Sequence, residues 1–224
     1  FPHASTTNTS VNALALDVEN DGDLDIFVSN HNSPPELYIN DGSANFTYRS
    51  LSFPSGGGGR SAAADVDNDG DVDIFYLLRN EPAVLLINNG QGQFTNRANE
   101  YGLNFSTNAT APVFADMDND GDMDLFVTIN SRETIYYFEN QLDQGQAAFT
   151  DNTQSLNLDI EAYSVVPTDV NRDGYLDLYI PARHADVASR LYRNAGDGTL
   201  ELLQHTGAER ILADGRSASV ADYN

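Results

Sequence analysis

Short runs of alternating apolar and polar residues fill this chain, and no stretch keeps a helical period. One run is written four times: Leu24-Asp25-Ile26-Phe27-Val28, Val72-Asp73-Ile74-Phe75-Tyr76, Met123-Asp124-Leu125-Phe126-Val127 and Leu176-Asp177-Leu178-Tyr179-Ile180. Aliphatic side chains take one face, and an aromatic (Phe27, Phe75, Phe126, Tyr179) takes the other. A strand apolar on both faces is one that lies between two other layers, as when sheets stack on sheets.

A second apolar run follows each copy and ends at an asparagine: Asn40, Asn88, Asn140 and Asn194. Turn residues come next, in Asp41-Gly42, Asn89-Gly90 and Gly196-Asp197-Gly198, and a further strand opens at Phe46, Phe94, Phe149 and Leu200. Ahead of the repeated run lies a strand of small residues, such as Ser61-Ala62-Ala63-Ala64, which suits an innermost position. The unit is four strands, A to D, recurring about every 50 residues. That predicts an all-β protein, a β-propeller of four-stranded blades, built as one domain over residues 1–224 with repeats beginning near 10, 60, 110, 163 and 216. About four blades fall within these residues, and the start of a fifth repeat points to a ring of six to eight.

The connection from strand A to strand B carries the chemistry. It reads Asp-x-(Asp/Asn/Glu)-x-Asp-Gly-x-x-Asp from Asp17 to Asp25, Asp65 to Asp73, Asp116 to Asp124 and Asp169 to Asp177, and begins again at Asp222 and Asn224. The four complete loops hold 18 of the 34 acidic residues in a chain of net charge −23. So many carboxylates in one turn repel each other unless a cation lies among them. Oxygen ligands at this spacing suit Ca²⁺, which takes six to eight oxygens. The expected ligands are the side chains at positions 1, 3, 5 and 9: Asp17, Glu19, Asp21 and Asp25; Asp65, Asp67, Asp69 and Asp73; Asp116, Asp118, Asp120 and Asp124; Asp169, Asn171, Asp173 and Asp177. Position 7 (Asp23, Asp71, Asp122, Tyr175) contributes a backbone carbonyl, which leaves its side chain free. One Ca²⁺ per complete loop gives four ions in this chain. Glu19 is longer than its counterparts, so the first site is expected to be distorted. An EF-hand would need a glutamate at position 12 and flanking helices, but position 12 is Val28, Tyr76, Val127 and Ile180.

On these residues the chain resembles the FG-GAP/VCBS repeat family. Asp65-Val66-Asp67-Asn68-Asp69-Gly70-Asp71-Val72-Asp73-Ile74-Phe75 is close to that family's signature. Leu191-Tyr192-Arg193-Asn194-Ala195-Gly196-Asp197-Gly198-Thr199 is similar to a segment of its cartilage-acidic-protein-type subgroup. The resemblance implies a calcium-stabilised propeller like the head of integrin α subunits, with an extracellular recognition or adhesion role toward a protein or glycan. Polymer-forming structural subunits and calcium-dependent polysaccharide lyases or hydrolases are the alternatives.

Strand direction puts the B–C and D–A connections at the end opposite the acidic loops. Arg60, Arg79, Arg132 and Arg183 fall there, with His31 and His184 at matching B–C positions, and form the expected partner-binding face. Asn8, Asn45, Asn104 and Asn108 begin glycosylation sequons. No catalytic motif is present, so the chain reads as a non-enzyme. Lysine is absent and acidic residues outnumber arginines threefold, which argues against nucleic acid as a partner. No apolar run is long enough to insert in a membrane. Cysteine is absent too, so the calcium loops would do the stapling that disulfides do in other secreted proteins.

Overall fold

The computed structural model describes residues 9–54, 59–79, 81–106, 108–130, 134–142, 148–184, 186–207 and 218. Among them Asn8, Arg132, Asp222 and Asn224 are not included, so those four expectations lie outside the described residues. The chain divides into two compact units, Phe1–Ala109 and Thr110–Asn224.

The first unit holds two four-stranded sheets. One is β1 (Ser10–Leu16), β2 (Asp25–Asn30), β3 (Glu36–Asn40) and β4 (Phe46–Ser50); the other is β5 (Ser61–Ala64), β6 (Asp73–Tyr76), β7 (Val84–Asn88) and β8 (Phe94–Asn96). The second unit holds β9 (Ala109–Ala115), β10 (Asp124–Ile129), β11 (Ile135–Asn140) and β12 (Phe149–Asp151), then β13 (Val166–Thr168), β14 (Asp177–Ile180), β15 (Arg190–Asn194) and β16 (Leu200–Leu203). In each sheet the strands lie in chain order as an antiparallel meander. The fold is all-β, with four blade-like sheets.

The two-faced strands explain how the sheets stack. In the first unit Phe27 and Leu37 of one sheet join Ile74, Tyr76, Val84 and Leu86 of the next in a single buried cluster. The aromatic face of one sheet therefore meets the aliphatic face of its neighbour. The Phe27 and Tyr76 rings lie 6.1 Å apart. Phe27, Leu37, Ile74 and Leu86 are fully buried, and each contributes about 1.5–3 kcal/mol by leaving water. The second unit repeats the arrangement, with Phe126, Ile135 and Tyr137 against Leu178 and Ile180.

Each acidic segment spans the gap from strand A to strand B. β1 ends at Leu16 and β2 begins at Asp25; the other three pairs of strands have the same spacing. Val28, Tyr76, Val127 and Ile180 lie within strands, as the exclusion of an EF-hand requires.

One helical turn, α1 (Thr153–Leu156), follows β12. Local hydrogen bonds hold it: the Thr153 N–H donates to Asp151 Oδ1 at 3.0 Å, and the Ser155 hydroxyl donates to the Asn152 carbonyl at 2.7 Å. Asn157 ends it in the left-handed region at φ 48°. Four residues are too few to leave a periodic signal. Among the described residues no helix is long and apolar enough to cross a membrane.

Candidate functional site

The four acidic loops share one internal geometry. The carboxylate at position 1 receives backbone N–H groups from the far side of its own loop. Gly22 donates to Asp17 at 2.8 Å, Gly70 to Asp65 at 2.9 Å, Gly121 to Asp116 at 3.1 Å and Gly174 to Asp169 at 3.0 Å. The position 6 glycine has φ between 90° and 93° in every copy, and the residue at position 4 (Asn20, Asn68, Asn119, Arg172) is also left-handed. That pair of conformations makes the tight bend, and glycine takes the larger positive angle without a Cβ penalty.

The position 9 aspartate is buried in all four copies, at most 2% exposed. One oxygen receives the N–H of position 2, and the other receives the N–H of the asparagine that ends strand C. For Asp73 these are Val66 at 3.0 Å and Asn88 at 2.8 Å. Asp25, Asp124 and Asp177 repeat the bracket with Asn40, Asn140 and Asn194. Two N–H groups satisfy part of each carboxylate and leave lone pairs for a cation. In the absence of a cation, burial pushes the carboxyl groups of Asp73 and Asp124 up to about 7. Burial raises Asp67, Asp118 and Asp120 as well, and neighbouring carboxylates add to the effect.

A divalent ion fits this donor set. Asp65, Asp67 and Asp73 bring carboxylate oxygens within 4.8 Å of one another, and so do Asp116, Asp118 and Asp120. Asp67 Oδ1 and Asp116 Oδ1 are buried with no hydrogen-bond partner, an arrangement that costs stability unless a cation meets them. The first and fourth loops hold the same bend but differ at position 3. Glu19 is drawn toward Arg49, with 3.1 Å between them. Asn171, a neutral amide, donates to Asp173 Oδ2 at 2.8 Å.

The side chains at position 7, not needed as ligands, pack on the C–D turns. Asp23 lies over Gly42, Asp71 over Gly90 and the Tyr175 ring over Gly196, so close that a Cβ on any of these glycines would approach within 2.4 to 2.7 Å. Asp122 is buried. The same three glycines adopt φ between 72° and 75°. Position 7 thus clamps the C–D turn against the acidic loop.

Adjacent loops are also tied to each other within each unit. Asn20 Nδ2 donates to Asp71 Oδ1 at 2.5 Å, and Asn119 Nδ2 donates to the Gly174 carbonyl at 2.9 Å. Asn88 and Asn194 reach the other way, to the carbonyls of Val18 and Met117. Their recurrence at the end of strand C was visible in the sequence; their role required the stacking of one sheet on the next. Tyr101, which donates to Asp67 Oδ2 at 3.1 Å, left no pattern to find.

The expected partner face is less uniform. In the second unit Arg183 and His184 meet at Glu161, a residue the sequence had not singled out. His184 Nε2 lies 2.5 Å from Glu161 Oε2, Arg183 Nη1 lies 4.0 Å from it, and the Arg183 guanidinium stacks 4.7 Å from the centre of the Tyr163 ring. In the first unit Arg60 is half-buried, with its carbonyl accepting from Leu77 N–H, and Arg79 is exposed. His31 is half-buried, and its backbone N–H donates to the Thr9 carbonyl at 2.7 Å. Of the sequon asparagines, Asn45 and Asn104 are exposed and Asn108 is half-buried.

The model of the FG-GAP-like repeat matches residues 17–76, 65–127 and 119–180. Among solved structures the chain is similar to a lectin of Agrocybe aegerita described for its specific recognition of non-reducing terminal N-acetylglucosamine. The TM-score is 0.55 at 18% identity, over 83% of this chain and 49% of that one. At that identity the likeness concerns the fold alone, and this chain spans about half the length of the lectin chain. No curated protein matches the chain.

Proposed function

The chain belongs to the FG-GAP-like repeat family, and from that membership and its loop geometry we propose that it is an extracellular calcium-binding recognition module for a glycan or protein partner. The observation that carries the calcium reading is the pair of buried, partnerless oxygens, Asp67 Oδ1 and Asp116 Oδ1, each within a loop that gathers three carboxylates. Positions 1, 3, 5 and 9, with the carbonyl of position 7, would hold the ion in each of the four loops. The bound ion would supply the positive charge that lets these acidic bends stay folded, and the bends in turn fix where the strands of each sheet begin.

Millimolar extracellular calcium fills sites of the affinity usual in such modules, whereas cytosolic calcium leaves them empty. That is the physical basis for an extracellular setting. The partner reading rests on the B–C and D–A ends of the sheets, where Arg183, His184 and Glu161 converge in the second unit, and on the glycan specificity of the structurally similar lectin. Arg60, Arg79 and His31 would serve at the corresponding connections of the first unit, and Arg132 is assigned the same role from its place in the sequence. No catalytic role is proposed, because the carboxylates of the loops serve the ion and the backbone.

The test has two arms. Equilibrium dialysis counts bound calcium per chain, and a glycan array is read in calcium and again in chelator. About four bound ions and a calcium-dependent array signal support the reading. A chain that binds no calcium at millimolar concentration contradicts it.

A further inference from the structure

The second unit carries a cavity of about 410 Å³ lined by Asp159, Ile160, Glu161, His184, Val187 and Arg190. It lies between the segment that enters β13 and the B–C connection that follows β14, away from the acidic loop of the same sheet. Its volume is that of a small-molecule site. The cavity is not accounted for by calcium binding or by the packing of the sheets.

Both signs of charge line it, and much of their hydrogen-bonding capacity is unused. Glu161 meets His184 through Oε2 only. The Asp159 side chain is exposed, and among the described residues no hydrogen bond engages its carboxylate. Arg190 is anchored through Nη1, which donates to the Asp159 carbonyl at 2.9 Å and to the Tyr192 hydroxyl at 3.1 Å. Among the described residues no hydrogen bond engages Arg190 Nη2 or Nε, which leaves both for a ligand. Arg183, stacked on Tyr163, lies 4.0 Å from Glu161 Oε2. Val187, 37% exposed, supplies the apolar surface of the cavity, while Ile160 belongs to the buried core.

The geometry points to a binding site for a neutral saccharide, with Asp159, Glu161, His184 and Arg190 as its polar contacts and Val187 beneath the ring. This rests on the recognition reading above and deepens it by naming ligand class and place. The chemistry decides between ligands. The two carboxylates of the lining, Asp159 and Glu161, outnumber its one guanidinium, Arg190, which disfavours an acidic sugar. A sugar's vicinal hydroxyls donate to carboxylates and accept from a guanidinium at once, so they use both signs without bringing a charge of their own. The aliphatic wall suits the C–H face of a pyranose ring. Two hydrogen bonds already hold Arg190 Nη1 before binding, which lowers the ordering cost.

Isothermal titration of the calcium-loaded chain tests this with N-acetylglucosamine oligomers, galactose oligomers and oligosaccharides ending in glucuronate. The two variants are Asp159→Asn, which keeps the shape of an exposed side chain, and Val187→Trp, which fills the cavity. A neutral oligomer should bind, and each variant should weaken it at least tenfold with no change in melting temperature. Neutral-sugar binding that both variants leave intact would overturn the cavity assignment while the recognition reading stands. Preference for the glucuronate series would overturn the ligand class. If none of the three series binds, the proposal fails, and capture of a protein partner would then show whether recognition survives without a glycan.

Discussion

Asn88 Nδ2 donates to the carbonyl of Val18 at 3.0 Å, across 70 positions of chain. The donor ends strand β7, and its own backbone N–H closes the acidic loop of its sheet on Asp73. The acceptor is position 2 of the loop in the neighbouring sheet. One residue therefore joins two loops, and Asn194 does the same toward Met117 at 2.7 Å.

Replacing Asn88 or Asn194 by alanine should lower stability by about 1–2 kcal/mol each, the usual cost of leaving a buried polar partner unmet. Val18 keeps a second donor in Gly92 N–H at 2.8 Å, so Asn88→Ala should be the milder change. Urea unfolding checks both. A loss below about 0.3 kcal/mol for Asn194→Ala would remove the tie from the account.

The turn glycines give a sharper contrast. At Gly42 an added Cβ meets Asp23 Oδ2 at 2.4 Å, with φ at 75°. At Gly22, φ is 90° but nothing lies within 4 Å. Gly22→Ala should cost about 1–2 kcal/mol from backbone strain alone. Gly42→Ala adds the displacement of Asp23 to a similar strain and should cost more. Thermal melts of the two variants, run side by side in calcium, decide the order.

The repeated elements were legible because covalent spacing dictates them. The carboxylates of each loop lie within nine residues, and the strand after each shows its two faces in five. The asparagines that end strand C could be counted in advance, but Asn88 reaching Val18 exists only once two sheets stack. Glu161 lies 23 positions from His184 in a segment without periodicity, so nothing in the sequence joined them. The contact of Asp23 with Gly42 likewise needs the folded sheet, since it forms only where the A–B and C–D turns meet at one end of the antiparallel meander.

Without metal, stability should rise as pH falls from 7 toward 4. Asp73 and Asp124 have folded-state carboxyl groups near 7, above the ordinary value of 3.8. The folded state then binds more protons than the unfolded state between those limits, so this contribution is present below about pH 4 and is lost as pH rises through 7. Protonation also expels the ion, so in saturating calcium the slope should reverse and acid should destabilise. Melting curves from pH 7 to pH 5 in chelator and in calcium check the two signs.

Glu19 should weaken the first site, since its carboxylate pairs with Arg49 at 3.1 Å. Glu19→Asp restores the length found in the second and third loops and releases Arg49. Calcium titration should show one site tightening severalfold with the count unchanged. An unaltered isotherm would show that the Arg49 pairing does not limit that site.

The most direct measurement is the melting temperature of the chain in millimolar calcium, in chelator, and in chelator followed by excess Ca²⁺ or Mg²⁺. A site filled to a hundred times its Kd adds about 2.7 kcal/mol, so several sites together should raise melting by well over ten degrees. Calcium should restore what chelation removes, and magnesium should restore much less, because it resists an irregular oxygen cage. Coincident curves in calcium and in chelator would contradict the claim that a cation holds the acidic loops together.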